Sequence, residues 1–150
     1  MNNTFVYVTY IRTTPEKLWA ALIQPEFTRQ YFFGATQEST WKPGAPWKMN
    51  LPDGTLTDSG EVLEIDPPRR LVLKWRSEIR AEARAEGYSR MTYLLEPGDS
   101  SVKLTVTHEI DKTGSKLIEA VSNGWPVILA SLKSLLETGK PLEEERPCKH

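Results

Sequence analysis

Residues 115–138, SKLIEAVSNGWPVILASLKSLLET, are the longest stretch of the chain with the periodicity of an amphipathic helix. Apolar residues recur every three or four positions and share one stripe roughly 120° wide. The stripe consists of Leu117, Val121, Trp125, Ile128, Leu132 and Leu135. Gly114 and Gly139 bracket the stretch, and Ser115 is suited to cap it. Because such a helix is not stable alone in water, the stretch predicts that the rest of the chain builds an apolar surface against it.

Pro126 interrupts the hydrogen-bonding capacity of this predicted helix. It removes one backbone donor and crowds the preceding turn, which predicts a kink or a restart near Asn123 and Gly124. A hinge that admits a ligand is one interpretation. A bend that fits the helix to a curved sheet is the favoured one.

The chain begins with a strand and two short helices. Residues 4–12 are rich in β-branched and aromatic side chains, which predicts a strand. A Thr-Thr-Pro-Glu run at residues 13–16 is typical of a helix start, and Pro25 interrupts the helix that follows. A second short helix is predicted over residues 26–32, and Gly34 ends it.

Between residues 35 and 110 the period of the apolar residues changes to two, which predicts strands. The six predicted strands are residues 36–41, 46–51, 57–66, 70–77, 87–96 and 101–110. Short turns rich in proline, glycine and aspartate separate most of them, and short connections favour an antiparallel meander. Residues 78–86, EIRAEARAE, have helical propensity but no apolar stripe, so a charged loop or hairpin tip is favoured there.

Alternation predicts which strand residues point inward. The last strand has the cleanest pattern, with Val102, Leu104, Val106, His108 and Ile110 on one face. Strand 57–66 allows two registers, because Val62 argues for one parity whereas Leu63 and Ile65 argue for the other. The second parity would also turn Glu61 inward.

Composition indicates one soluble globular domain over residues 1–139, followed by a polar tail at residues 140–150 that we expect to be disordered. A net charge of −1 without a basic stripe argues against nucleic acid and anionic membrane as partners. The apolar runs are far shorter than the roughly 20 residues of a membrane span. A single cysteine, Cys148, and a start without signal-peptide character predict a cytoplasmic protein. No phosphate loop, nucleophile elbow or metal-ligand spacing occurs, so neither a cofactor nor a metal is expected.

Four segments of the sequence resemble a known superfamily. They are TPEKLWAALIQPEFTRQYF (residues 14–32), GEVLEIDPPRRLVLKW (60–75), VKLTVTHE (102–109) and GWPVILASLKSLLETG (124–139). They resemble the SRPBCC superfamily of lipid-transfer START domains, birch-pollen-type allergens and polyketide cyclases. The bacterial branch related to the activator of the ninety-kilodalton heat-shock chaperone's ATPase is the most similar. The resemblance covers residues 4–139 and implies an α+β helix-grip fold, in which a curved antiparallel sheet of about seven strands wraps the C-terminal helix.

Three functions are compatible with these observations. The first is binding of a hydrophobic or amphipathic small molecule in a cavity between the sheet and the long helix, which the apolar faces favour. The second is a cyclase or dehydratase with His108 as acid/base, either alone or together with Tyr93 or Glu61. The third is a chaperone-activator-like interaction through the outer surface. The shortage of catalytic groups favours a protein that is not an enzyme, and a homodimer is compatible with all three.

The candidate cavity residues are those that alternation and the helical stripe bring beneath the long helix. They are Phe32, Trp75, Met91, Tyr93, His108, Trp125, Ile128 and Leu132. His108 lies on an otherwise apolar face, so it is interpreted either as a polar anchor or acid/base, or as a buried histidine hydrogen-bonded to its neighbours. The aromatic residues and Met91 are equally compatible with ordinary core packing.

Overall fold

A computed structural model describes residues 3–142 of the chain. The helices and strands follow the predicted order, with one helix added between the fifth and sixth strands. Their bounds are β1 Asn3–Ile11, α1 Pro15–Ile23, α2 Pro25–Tyr31, β2 Thr36–Glu38, β3 Pro46–Asn50, β4 Leu56–Asp66, β5 Arg70–Ser77, α3 Ala81–Ala85, β6 Ser89–Pro97, β7 Val102–Ile110 and α4 Lys116–Thr138.

The seven strands form one antiparallel sheet in the order β1-β7-β6-β5-β4-β3-β2. The strands β2 to β7 are a meander, and β1 pairs with the last strand, so that Phe5 lies opposite His108. The sheet is curved and wraps α4, which confirms the predicted α+β helix-grip fold. The strand β2 is three residues long, shorter than the predicted six.

Helix α4 is continuous through Pro126, so the predicted restart near Asn123 does not occur. Ser115 caps its N-terminus, where the hydroxyl accepts a hydrogen bond from the Ile118 N–H at 3.1 Å. Gly139 ends it with a φ of 87°, a left-handed conformation that glycine adopts without a Cβ penalty. The helix buries five of the six stripe residues, Leu117, Trp125, Ile128, Leu132 and Leu135, together with Leu129.

An irregularity in β4 explains why its sequence fits two registers. The pairing of β4 with β5 shifts between Val62 and Glu64, which leaves Leu63 partly exposed while Val62 is fully buried. Beyond the bulge, Ile65 returns to the core side. The parity set by Val62 therefore holds before the bulge, and Glu61 lies on the opposite face from Val62.

The interpretation of residues 78–86 as a loop was wrong, because the helix α3 forms at Ala81–Ala85. Its single buried residue, Ala83, packs against Ile110 and Leu117. Directly after α3, the Glu86 carboxylate accepts hydrogen bonds from the N-terminus of α4, including the Lys116 N–H at 2.6 Å and the Ser115 hydroxyl at 2.7 Å. These partners are about 30 residues away in sequence, so local periodicity carried no indication of them.

The first residues of the predicted tail return to α4. The Lys140 carbonyl accepts a hydrogen bond from the Ser134 hydroxyl at 2.7 Å, and the Leu142 N–H donates to the Ser131 hydroxyl at 3.0 Å. Disorder was predicted for residues 140–150, of which residues 143–150 lie outside the described residues. Among residues 3–142, no helix is both long enough and apolar enough to cross a membrane.

Candidate functional site

Trp125 lies at the centre of an aromatic cluster between α4 and the sheet. Its ring centroid is 5.7 Å from that of Phe32 and 6.0 Å from those of Trp75 and Tyr93, with edge-to-face geometry in each pair. Trp75 in turn lies 4.6 Å from Trp47. Edge-to-face pairs at these distances are favourable beyond the apolar area they bury. The cluster therefore fixes the position of α4 over the sheet.

His108 is fully buried beside this cluster, and both of its ring nitrogens have partners. The indole Nε1–H of Trp125 donates to Nδ1 at 3.2 Å, and Nε2 lies 2.8 Å from the Ser89 hydroxyl oxygen. Because an indole N–H can only donate, Nδ1 must be unprotonated, so the neutral ring carries its proton on Nε2 and donates it to Ser89. The Ser89 hydroxyl proton is then free to donate to the Trp75 carbonyl at 3.0 Å.

This hydrogen-bond chain answers the question that the sequence left open for His108. Burial lowers the pKa of His108 to about 3, because the charged imidazolium would lose its hydration. A proton added to Nδ1 would also face the indole N–H. Both effects keep the imidazole neutral at physiological pH, so the geometry favours a buried histidine satisfied by its neighbours over an acid/base.

A partly open pocket of about 120 Å³ lies between the first half of α4 and the ends of β4 and β5. Four of the predicted cavity residues line it: Phe32, Trp75, Trp125 and Ile128. The remaining wall is formed by Asp58, Ser77, Arg80, Leu117, Ala120, Val121 and Gly124. The pocket thus has an aromatic and aliphatic body with a few polar groups, as small-molecule sites usually have.

The other four predicted cavity residues lie outside this pocket. Met91, Tyr93, His108 and Leu132 are all buried within the core. Burial raises the pKa of Tyr93 well above its ordinary value, which removes it as a proton donor near neutral pH. Glu61 is also absent from the pocket wall, as its outward parity requires.

Asp58 is the acidic residue of the pocket wall, and the sequence did not indicate it as a cavity residue. Its Oδ2 accepts a hydrogen bond from the Trp75 indole Nε1–H at 2.8 Å. Burial raises the pKa of the Asp58 carboxyl to about 6, against the lowering effects of hydrogen bonds and of Arg80, while Glu78 raises it further. The parity of Val62 could have revealed Asp58, because residues 58, 60 and 62 share one face.

Within residues 3–142, no group of three or more histidine, cysteine, aspartate or glutamate side chains is placed to hold a metal ion. The polar groups of the pocket are one carboxyl, one hydroxyl and one guanidinium, from Asp58, Ser77 and Arg80. Such a set can bind hydrogen-bonding or charged groups of a small organic molecule.

The family comparison agrees with this architecture. Residues 12–137 match the model of the family described as activator of Hsp90 ATPase homolog 1-like protein. The chain belongs to that family. No curated protein matches it significantly. The matched residues begin directly after β1 and end in the last turn of α4, so they include the strands β2 to β7 and the three short helices.

Three solved structures similar to this member of the activator-like family share its fold over nearly their whole length. Protein MLL2253 from Mesorhizobium loti is 23% identical with a TM-score of 0.77, and the match covers 90% of this chain and 97% of that chain. ChR145 from Cytophaga hutchinsonii is 28% identical with a TM-score of 0.71, covering 91% and 95%. The Aha1 dimer from Colwellia psychrerythraea is 18% identical with a TM-score of 0.71, covering 92% and 98%.

Proposed function

We propose that this protein, acting in the cytoplasm, binds a small hydrophobic or amphipathic molecule in the pocket beneath the first half of α4. The observation that carries the proposal is the pocket of about 120 Å³, walled by Phe32, Trp75, Trp125 and Ile128. Pockets for drug-sized ligands measure about 300–1,000 Å³, whereas a cavity of about 150 Å³ is known to hold benzene. The expected ligand therefore inserts a single ring or a short branched chain and leaves its remainder at the mouth.

The first test is a titration of ¹⁵N-labelled protein with benzyl alcohol, a neutral single-ring probe. We expect saturable shifts of the indole N–H resonances of Trp75 and Trp125, because both rings line the pocket. Trp19 and Trp41 lie outside the pocket wall and supply internal references. Unchanged Trp75 and Trp125 resonances at millimolar probe would contradict the proposal.

A variant that fills the pocket makes the test specific. At Gly124, a Cβ atom would meet only the Ile128 Cδ1 atom, at 4.0 Å. Leucine there projects into the pocket and also has the higher helix propensity. We expect Gly124→Leu to remain folded and to lose probe binding. The matched control is Ala130→Leu, at an exposed position of the same helix, which should bind as the parent does.

The two alternatives from the sequence stay predictions. The hydrogen bonds of His108 do not support an enzyme with this residue as acid/base. Family membership motivates the chaperone-activator alternative, and binding to the chaperone's middle domain would test it by pull-down with the purified partner. The chaperone-activator alternative would use the outer surface instead of the pocket.

A homodimer is the second proposal, and the outer face of β1 supports it. This edge strand exposes Val6, Val8 and Tyr10, at 54%, 44% and 56% of their surfaces. An apolar row on an open sheet edge is suited to pairing with a second copy. One similar structure is itself described as a dimer. Light scattering should give a dimer mass that Val8→Lys reduces to the monomer; a monomeric parent protein would contradict the proposal.

A further inference from the structure

Asp58 places a carboxyl group at the inner end of an aromatic pocket. It reaches the pocket from β4, and its partner Trp75 from β5 forms the adjacent wall. The hydrogen bond from the Trp75 indole fills one acceptor position, whereas an ionised carboxylate offers about four. The remaining capacity of the carboxylate is available to a molecule inside the pocket.

Arg80 favours the charged form of this carboxylate, but within residues 3–142 no lysine or arginine forms an ion pair with it. Arg80 is the cationic residue of the pocket wall, but its side chain is exposed and none of the described ion pairs joins it to Asp58. Its backbone N–H lies 3.3 Å from the Ser77 hydroxyl, which keeps this turn at the mouth. A carboxylate removed from water without a cation is unfavourable, so a bound cation would relieve it.

The walls around Asp58 favour a positive charge as well. Phe32, Trp75 and Trp125 present aromatic rings to the pocket, with centroids 5.7–6.0 Å apart between Trp125 and the other two. A cation within about 6 Å of an aromatic face is attracted by the ring quadrupole, and tryptophan gives the strongest attraction. The carboxylate and the rings therefore select for the same charge on a ligand.

We propose that the pocket is selective for small amphipathic amines, whose ring or short chain packs against Trp75 and Trp125 and whose ammonium group donates to Asp58. The inference rests on the proposed function and specifies the ligand class of the same pocket. Arg80 at the mouth disfavours a second positive charge on the ligand. The expected ligand is thus a monoamine with one apolar group.

The experiment compares three probes of nearly equal size: benzylamine, benzyl alcohol and benzoate. Each is titrated into labelled protein at pH 7.5, and dissociation constants are taken from the Trp75 and Trp125 indole resonances. For the parent protein we expect benzylamine to bind at least about tenfold more tightly than benzyl alcohol, since hydrogen bonds to charged groups exceed neutral ones by this order. Benzoate should bind most weakly.

Asp58→Asn keeps an oxygen acceptor for the Trp75 indole and removes the charge. In this variant we expect benzylamine to lose its advantage while benzyl alcohol binds as before. Asp99→Asn removes one surface aspartate from the β6–β7 turn and should leave the preference unchanged. The unchanged affinity for benzyl alcohol also reports that the variant pocket is folded.

The outcomes separate the two proposals. Equal affinities for all three probes, or a preference for benzoate, would overturn the amine selectivity and leave the binding function standing. Binding of none of the probes would overturn both. A preference for benzylamine that persists in Asp58→Asn would also overturn the inference, because the charge would then not be its source.

Discussion

At the scale of single residues, two buried titratable groups respond to burial in opposite ways. His108 is neutral and fully hydrogen-bonded, so burial is tolerated as long as the ring stays uncharged. Asp58 accepts a hydrogen bond from the Trp75 indole, but burial opposes its charged form and raises its pKa. A titratable group whose burial in a pocket lowers the stability of the fold is a candidate functional residue. A buried group whose hydrogen bonds are all formed contributes to the packing of the core instead.

Asp58→Asn should therefore stabilise the protein at pH 7.5. The folded pKa of about 6 lies above the ordinary value of 3.8, so the folded state binds the extra proton and ionisation costs stability above pH 6. This pKa difference corresponds to an unfolding free energy up to about 3 kcal/mol higher in the variant, and the gain disappears as the pH falls to about 4. Urea denaturation at pH 7.5, 6, 5 and 4 measures it. A destabilised variant at pH 7.5 would contradict the expectation.

His108→Gln tests the case in which stability is lost, rather than gained, as the pH falls. The folded pKa of about 3 lies below the ordinary value of 6.5, so the stability this group confers is present above pH 6.5 and is lost as the pH falls. The parent should lose about 1.4 kcal/mol per pH unit from this residue below pH 6.5, and a glutamine does not titrate. We expect the two unfolding free energies to converge on acidification. Parallel pH profiles would show that His108 is protonated in the folded state.

At the scale of secondary-structure elements, β4 positions the pocket through a close approach to β5. A Cβ atom on Gly60 would lie 1.7 Å from the Lys74 carbonyl oxygen, far inside van der Waals contact. Only glycine permits this spacing between the strands. The same stretch of β4 carries Asp58, and its neighbour on β5 carries Trp75, so the pocket wall depends on the approach.

We expect Gly60→Ala to destabilise the protein by about 3 kcal/mol or more, because backbone must move to relieve the clash. The Asp58–Trp75 hydrogen bond should be disturbed as well, which shifts the Trp75 indole resonance. Gly124→Ala, where a Cβ meets nothing nearer than 4.0 Å, is the control and should gain about 0.5–1 kcal/mol from helix propensity. Equal effects of the two alanines would refute the steric argument.

The segment after α3 tests a second element-scale contact. The Glu86 carboxylate accepts hydrogen bonds from the Lys116 and Leu117 N–H groups and from Ser115. Burial raises the pKa of Glu86, but these donors outweigh it and hold the pKa below the ordinary value. We expect Glu86→Gln to cost about 1 kcal/mol at neutral pH, as loss of charge at a helix N-terminus does.

The cost of Glu86→Gln should diminish in acid, because a lowered carboxyl pKa confers stability that is lost as the pH falls. Thermal unfolding followed by circular dichroism at pH 7 and pH 3.5 measures both values. Glu82→Gln removes the same charge from an exposed position of α3 and serves as the control. Equal losses in the two variants would show that the contact with α4 contributes nothing.

At the scale of the whole molecule, α4 shares one core with the sheet and with the two helices that follow β1. Its buried apolar side chains from Trp125 to Leu135 belong to the same cluster as Leu18 of α1, Tyr31 of α2 and the inward faces of the strands. A single core of this kind favours cooperative unfolding. The packing of the sheet around α4 therefore depends on the complete domain and not on the helix alone.

Leu132→Ala should lower the unfolding free energy by about 2–5 kcal/mol, since Leu132 is completely buried in the core. Helix content by circular dichroism and tryptophan fluorescence should lose their native signals in one shared transition, at a lower urea concentration than in the parent. Leu63→Ala, at the partly exposed bulge residue, is the control and should cost much less. Separate transitions for helix and tryptophan signals would contradict a single core.

Much of the fold could be predicted because local periodicity carries it. The stripe of residues 115–138 matches α4, and the alternation of the last strand places His108 and its neighbours inward in β7. The bulge in β4 hid the parity of that strand, since a two-residue period cannot express a one-residue shift. The sequence pattern therefore indicates Glu61 as a possible inward-facing carboxylate and does not indicate Asp58.

The amino-acid sequence alone thus determined the kinds of element, their order and the apolar faces, because neighbouring residues encode these through periodicity, caps and turns. The protonation of His108 depended on Ser89 and Trp125, the helix α3 on its contact with α4, and the pocket on the meeting of β4, β5 and α4. These features required the folded chain, because burial and hydrogen-bond partners come from residues far apart in sequence.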